Sequence, residues 1–322
     1  MNCKISGTGS ATPALVISND DLAHHVETDD EWIVTRTGIS ARHVLSTETL
    51  TELAVAASRR ALDAAGVAAS ELELIIGATT KHDYQVPALA CVVQAALEAP
   101  GAPAFDVNFG CTGFIGALDI AAHYFETGSV RQAALIICAE ALTRYVDWTD
   151  RATCVLFGDG AAAVVLTPGE SLLATYLHAQ GNPDPLHAQA SVGNSPFDQR
   201  PADHPFIEMN GREVFKFAVT NLCGDVATVL EQARVTPEEV DLFLVHQANK
   251  RIIEAARERL GQPAEKFPTN IERYGNTSAA SIPLLLDELV RAGQIPDGAL
   301  LACAAFGAGL ISGAALLRWQ QA

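Results

Sequence analysis

Aromatic residues are scarce in this 322-residue chain, at 6%, and charged residues make up only 18%. Basic residues are scarcer still: 21 Lys and Arg stand against 38 Asp and Glu, for a formal net charge of −17. That balance excludes a broadly positive surface, so nucleic acid is not an expected partner, and an acidic partner would need a local basic patch. The seven cysteines (Cys3, Cys91, Cys111, Cys138, Cys154, Cys223 and Cys303) contain no C-x-x-C pair. Their odd number and scattered spacing exclude a disulfide framework and a zinc set, and His24-His25 has no matching ligand cluster, so no metal is expected. The first residues, MNCKISGTGSATPALV, lack the positive stretch and apolar run of a signal peptide, which makes the cytoplasm the expected location. One long uncharged run does occur, Gly298 to Leu317, and Gly309 and Gly313 within it match G-x-x-x-G. Its four glycines and seven alanines make it weakly apolar, so it reads as two buried strands joined by a glycine turn rather than a membrane span.

What the chain does have is small and apolar: 49% hydrophobic residues and 24 glycines over a length able to bury a large core. Such composition suits closely packed α/β layers. Helix signals cover Leu50–Ala65, Thr112–Phe125, Glu213–Arg234, Lys250–Leu260 and Ser281–Ala292; strand signals cover Leu72–Ile76, Ala133–Cys138, Ala162–Leu166, Leu242–Val245 and Leu300–Ala305. The pattern repeats. GVAASELELIIG (66–77) resembles RVTPEEVDLFLV (234–245), and FGDGAAAVVL from Phe157 resembles FGAGLISGAALL from Phe306. The repeat fits either two similar halves, divided as 1–168 and 169–322, or chance likeness between α/β segments. The Pro-, Asn- and Asp-rich stretch from Gly181 to Pro205 reads as a surface excursion or lid.

Three polar residues stand at strand ends. Cys111 lies in DVNFGCTGF (106–114), after an apolar strand and at a helix start, where unpaired N–H groups favour a thiolate and Gly110 and Gly113 allow close approach of a bound group. A lone cysteine is otherwise a buried, inert one. His246 follows the buried strand LFLV in HQAN (246–249), and Asn276 lies in YGNTSAAS (274–281), a turn leading into a helix. At the carboxyl ends of α/β strands such residues point into a crevice; their bland readings are a cap and a turn residue. Together, Cys, His and Asn can perform nucleophilic acyl chemistry with hydrogen-bond stabilisation of an oxyanion. In the segment around DEWIVTRTG (30–38), Thr28 and Glu31 read as a capping box, and Trp32 and Arg36 fall at i, i+4 on one face. Such a pair can hold an aromatic ring and phosphates, or simply form an exposed cation–π pair. Gly158-Asp159-Gly160 with Ala163 fits the dinucleotide pattern G-x-G-x-x-A, but VVLTPG after it reads as a strand, so no helix start awaits a pyrophosphate.

These motifs, in this order, resemble the β-ketoacyl-[acyl-carrier-protein] synthase III family, with GTGS (7–10), DEWIVTRTG, FGDGA (157–161), HQAN and FGAG (306–309) carrying the likeness across the chain. The resemblance implies a thiolase fold, two α/β halves stacked in five αβαβα layers. It implies a homodimeric acyltransferase that condenses a short acyl-CoA, acetyl-CoA foremost, with malonyl-[acyl-carrier protein] to begin fatty acid synthesis. In that likeness Cys111 carries the acyl group, His246 and Asn276 assist condensation, and the backbone N–H groups of Cys111 and Ala308 form the oxyanion hole. Coenzyme A, a substrate rather than a resident cofactor, would meet Thr28, Trp32, Arg36, Arg151, Phe215 and Asn249. The acyl pocket would involve Val86, Leu142, Phe157 and Phe306, and the carrier protein would dock on Lys216, Lys250 and Arg251. The cations of the last group, with Arg257 and Arg259, are in bland terms a solvated face interspersed with Glu254 and Glu258. Departures from the family pattern are Gly110 and Thr112 beside the cysteine, Gly307-Ala308-Gly309 in place of three glycines, and the small Val86, which would admit a longer or branched starter. A relative in specialised metabolism and a non-catalytic carrier-protein-binding protein are the competing readings; retention of all three polar residues counts against the latter.

Overall fold

The structure, a computed structural model, describes residues 1–189, 197 and 206–321. Strands run at β1 (Cys3–Ala11), β2 (Val16–Ser18), β3 (Ala41–His43), β4 (Leu72–Ala78), β5 (Ala104–Val107), β6 (Ala133–Ala141) and β7 (Asp159–Pro168). They continue at β8 (Leu172–Asn182), β9 (Leu186–Ala188), β10 (Ile207–Met209), β11 (Leu242–Val245), β12 (Leu300–Gly307) and β13 (Gly309–Arg318). The helices are α1 (Asn19–Leu22), α2 (Asp30–Thr37), α3 (Leu50–Ala65), α4 (Leu89–Leu97), α5 (Gly113–Glu126), α6 (Gly211–Ala233), α7 (Lys250–Leu260), α8 (Ile271–Tyr274) and α9 (Ser281–Arg291). The long uncharged run is indeed two strands, β12 and β13, antiparallel on either side of Ala308. No helix among the described residues is long and apolar enough to cross a membrane.

Two sheets share one connectivity. The first is ordered β1-β7-β6-β4-β5 and the second β11-β12-β13-β8. In each, the first strand (β1, β8) pairs antiparallel with the last (β7, β13); that strand pairs antiparallel with the one before it (β6, β12), which in turn pairs parallel with β4 or β11. Parallel strands covered on both faces read as continuous apolar runs, which is why LFLV and AALIICAEA lack alternation.

The layers follow from burial. Helices α3 and α4 cover the outer face of the first sheet through Leu50, Leu53, Ala57, Ala61, Leu89 and Val93. Helices α6 and α7 cover the second through Val214, Ala218, Leu222, Val226 and Ile253. Between the sheets lie α5 and α9, whose Phe114, Ile115, Leu118, Leu285 and Leu286 join side chains from both sheets in one central core. Small residues permit this closeness: a Cβ on Gly7 or Gly9 would lie 2.2 or 2.3 Å from a backbone oxygen of α3.

Helix ends follow local chemistry with one change of register. Thr49 and Glu52 form a reciprocal capping box at α3, and Gly66 ends that helix with φ +62°. At α2 the cap is Asp29, not Thr28: Asp29 Oδ1 accepts the Trp32 N–H at 2.7 Å, so the capping acceptor sits one residue later than the T-x-x-E pattern implies. A carboxylate at the N-cap also meets the positive end of the helix dipole, which a threonine hydroxyl does less well. Helix α6 starts at Gly211, two residues ahead of its sequence signal, because Asn210 caps it by accepting Glu213 N–H at 3.3 Å. Of the 181–205 excursion, the first residues complete β8 and form β9; residues 190–196 and 198–205 lie outside the described residues.

Candidate active site

A cavity of about 1230 Å³ is lined among others by Cys111, His246 and Asn276. Each arrives from a different element. After β5, Gly110 (φ +52°) turns the chain into a 3₁₀ turn, Gly110–Thr112, that places Cys111 ahead of α5. That turn abuts the β12–β13 connection: a Cβ on Gly307 would lie 2.8 Å from Cys111 N, and one on Gly110 would lie 3.5 Å from Ala308 N. The backbones of Cys111 and Ala308 are thus neighbours at the cavity wall.

His246 extends β11, its N–H donating to Ala304 O at 2.9 Å, and its side chain is buried. Its Nδ1 is 2.7 Å from Ser281 Oγ, and the Phe306 ring meets it edge-on with centroids 5.3 Å apart. Gln247 N–H donates to the same Ser281 oxygen at 3.4 Å, and the tautomer in which the serine hydroxyl donates to Nδ1 carries the ring hydrogen on Nε2. Burial lowers the imidazole pKa from 6.5 to about 3, so the ring is neutral at physiological pH. Asn276 is held by backbone on both sides: its N–H donates to Leu156 O at 2.8 Å and its carbonyl accepts from Gly158 N–H at 3.1 Å. Its Oδ1 accepts Ser278 N–H at 2.9 Å, leaving the side-chain amide as a donor.

The Cys111 thiol departs from its sequence expectation. Desolvation pushes it up to about 12; a hydrogen bond with Ser278 works against this, and the charge of Glu140 adds to it. The 3₁₀ turn Gly110–Thr112 runs directly into α5 at Gly113, so the thiol stands at a helix start, with desolvation opposing its ionisation. Glu140, at the end of β6, is fully buried, and burial raises its pKa to about 7 despite hydrogen bonds from Thr80 and Ser278.

Trp32, Arg36 and Arg151 gather at the mouth, with the two guanidinium carbons 4.5 and 4.8 Å from the indole centroid. Phe215, Asn249 and Arg251 line the same cavity, as do Leu142, Phe157, Phe306 and Ala308. Other expected residues fall elsewhere. Thr28 does not line the cavity, and its Oγ1 is buried without a hydrogen-bond partner. Val86 is 82% exposed, on a loop that leads away from the lining residue Gln85, so within one chain it cannot wall an acyl pocket. Lys216 projects from α6 into solvent; Lys250 packs against Gly38 beside Arg251 in a shallow groove between α2 and α7. Sequence reasoning missed Glu140, Ser278, Ser281, Thr80, Arg212 and Lys81. For Glu140 a signal existed: a carboxylate closing the otherwise apolar run AALIICAEA. The Gly158–Gly160 segment leads into strand β7, not a helix, and a Cβ on Gly158 would lie 2.1 Å from Tyr274 O. Among the described residues no group of three or more His, Cys, Asp or Glu could hold a metal ion.

A family model described as 3-oxoacyl-[acyl-carrier-protein (ACP)] synthase III matches residues 105–181, and its C-terminal counterpart matches 230–319. The beta-ketoacyl-[acyl-carrier-protein] synthase III of Aquifex aeolicus (strain VF5) is 46% identical over 322 residues, 99% of this chain and 100% of that protein. The chain belongs to the 3-oxoacyl-[acyl-carrier-protein] synthase III family. The synthase III of Synechococcus sp. (strain WH7803) is 47% identical, covering 98% of this chain and 95% of that one. The crystal structure of the Aquifex aeolicus enzyme superposes with a TM-score of 0.92, covering 98% of this chain and all of that one. The priming β-ketosynthase of the R1128 polyketide pathway superposes equally well at 35% identity, covering 99% and 97% of the two chains. The fold is the thiolase fold, and membership of the synthase III family makes the chain an acyltransferase-type condensing enzyme.

Proposed function

We propose that the chain starts fatty acid synthesis by joining a short acyl group, acetyl in the first instance, from coenzyme A to the two-carbon unit of malonyl-[acyl-carrier protein]. The observation that carries this reading is that Cys111, a neutral His246 and the free amide of Asn276 line one cavity whose mouth holds Trp32, Arg36 and Arg151. The guanidinium groups suit the phosphates of coenzyme A, the indole suits its adenine, and Phe215 and Asn249 lie along the way inward. Cys111 sulfur attacks the thioester carbonyl, the backbone N–H groups of Cys111 and Ala308 receive the oxyanion, and coenzyme A leaves as its thiol.

Malonyl-carrier protein then enters the same cavity. Breaking its C–C bond to CO₂ leaves an enolate on the thioester oxygen, which Nε2–H of His246 and the amide of Asn276 stabilise by donation. The carbanion attacks the acyl-Cys111 carbonyl, and the C–S bond breaks to give the 3-ketoacyl product and the free cysteine. Leu142, Phe157 and Phe306 would surround the acyl chain. Coenzyme A enters as part of the substrate, and these steps call on no resident cofactor. The carrier protein, acidic by this reading, would approach Arg251 with Lys250 and Lys216. A cytoplasmic homodimer of chains, each built from two similar halves at 1–168 and 169–322, completes the proposal.

The R1128 priming synthase supports a second reading, a role in specialised metabolism with another starter. Its identity, 35% against 46% for the Aquifex aeolicus enzyme, favours the first. Incubation with acetyl-CoA, then intact-protein and peptide mass measurement, is the test. One acetyl mass on the Cys111 peptide is expected, with none on Cys111→Ala; acetyl on another cysteine, or on none, would sink the reading.

A further inference from the structure

For the proposed condensation, Asn276 has to present its amide N–H to the cavity and not its carbonyl oxygen, although the two ends of the group are nearly alike in size. The backbone bonds to Leu156 and Gly158 fix the main chain of Asn276 but leave the sense of its side chain open. That sense is set at Oδ1, which accepts Ser278 N–H at 2.9 Å. A backbone N–H can only donate, so the amide nitrogen turns away from it. Ser278 gives this N–H from φ +52°, in the left-handed region that residues with a side chain rarely adopt. Such a conformation persists only where the surroundings hold it.

The holding group comes from the first sheet. The Ser278 hydroxyl donates to Glu140 Oε1 at 3.0 Å, and both residues are buried. Glu140 lies near the end of β6, and its Oε2 accepts from Thr80, just beyond β4, through Oγ1 at 2.6 Å and N–H at 3.1 Å. The carboxylate is thus pinned by the first sheet and offers one fixed acceptor to the turn that precedes α9. A buried hydroxyl that loses its acceptor finds no ready replacement, so Ser278 stays where Glu140 is.

We propose that Glu140 is a positioning residue for Asn276: by holding Ser278 in its left-handed conformation, it keeps Ser278 N–H on Oδ1 and the Asn276 amide N–H toward the substrate. Glu140 itself touches no reacting atom. His246 is held by a separate bond, to Ser281 at the start of α9, so the device acts on one of the two donors to the enolate. Packing presses on the same turn. Ala279 and Ala280 are buried, and a Cβ on Gly113 of α5 would lie 2.9 Å from that of Ala279. Packing alone would fix the turn with no help from the carboxylate, and removing the tie tells one from the other.

The inference rests on the enolate role proposed for Asn276, and the measurements separate the two. Single-turnover acetylation of Cys111 and condensation with malonyl-carrier protein are followed in the wild-type chain, Glu140→Leu, Glu140→Gln, Asn276→Ala and the double variant Glu140→Leu with Asn276→Ala. Glu140→Leu removes the tie and should slow condensation by about 10²-fold while acetylation changes much less. Gln accepts from Thr80 through its carbonyl and donates to Ser278 Oγ through its amide, so Glu140→Gln should stay close to wild type. In the double variant, Glu140→Leu should add no further loss, because its effect runs through a side chain already removed. Should Glu140→Leu not fold, a pair of substitutions at Ser278 carries the test. Both Ser278→Gly and Ser278→Ala delete the bond to Glu140, but only glycine takes φ +52° without strain, so Ser278→Gly should condense faster than Ser278→Ala. Additive losses in the double variant, equal loss of acetylation and condensation, a Glu140→Gln as slow as Glu140→Leu, or equal rates for the Ser278 pair would overturn the positioning role. Asn276→Ala condensing at the wild-type rate would overturn the enolate role itself, and this inference with it.

Discussion

The two sheets treat one equivalent position in opposite ways. The last parallel-paired residues are Cys138 on β6, opposite Ala78, and Ala304 on β12, opposite Val245. Two residues further on, β6 places the fully buried Glu140 and β12 places Phe306, which lines the cavity. Glu140 gives the interior behind the nucleophile a buried carboxylate, held by Thr80 and Ser278. Phe306 gives His246 an apolar wall that strips it of charge. A repeated frame therefore supplies position, while a single side chain at that position decides whether its surroundings are charged or apolar.

The largest effect that would sharpen this contrast is on the His246 side. His246→Ala and Asn276→Ala should each slow decarboxylation and condensation by ~10²–10³ while acetylation of Cys111 falls much less, because on the proposed mechanism both residues act on the enolate. Loss of both half-reactions to the same degree in rapid-quench measurements would break the division of labour.

A smaller effect concerns Phe306. With the imidazole pKa held at about 3, condensation by the wild-type chain should show no acid limb from His246 between pH 5 and 8. Phe306→Ala admits water beside the ring, so the pKa moves up toward 6.5 and an acid limb should enter that window. The sign for stability follows: a folded value below the unfolded one contributes stability above about 6.5 that is lost as pH falls toward 3. Phe306→Ala should flatten that loss in thermal melts at pH 4 to 6. A pH–rate profile and melt series identical to wild type would show that the ring is not what keeps His246 neutral.

The smallest effect lies at the surface. Arg251→Glu should raise KM for malonyl-carrier protein several-fold at low salt and leave acetyl-CoA acylation nearly unchanged, the difference shrinking as the screening length falls below ~8 Å. If carrier-protein kinetics and their salt response do not move, the cations of α7 are a solvated face only.

Much of this was legible in the sequence, for identifiable reasons. Strand-length apolar runs bounded by glycine declared β12 and β13, and glycine after Ala65 and Leu260 marked the ends of α3 and α7. Cys111, His246 and Asn276 stood out because each is polar or reactive at the end of an apolar strand or in a turn. What stayed hidden is long-range pairing. Nothing near Ser278 in the chain points to Glu140, 138 residues away, and nothing near His246 points to Ser281 or Phe306. The cap of α2 was misplaced by one residue because two acceptors, Thr28 and Asp29, stand side by side and only geometry chooses between them. Val86 was assigned from a position in a motif, which carries no information on whether the side chain faces inward.

The two backbone hydrogen bonds that tie Asn276 to Leu156 and Gly158 flank Phe157, a wall of the cavity. On the proposed mechanism, the residue that would size the acyl chamber and the residue that would steady the enolate are thus joined by backbone hydrogen bonds. Enlarging the chamber at Phe157 would shift Asn276 with it, so breadth of starter and speed of carbon–carbon bond formation cannot be tuned separately there. A chain evolving toward bulkier starters would have to find its extra room at a wall without such a tie, or lose turnover as it gained range.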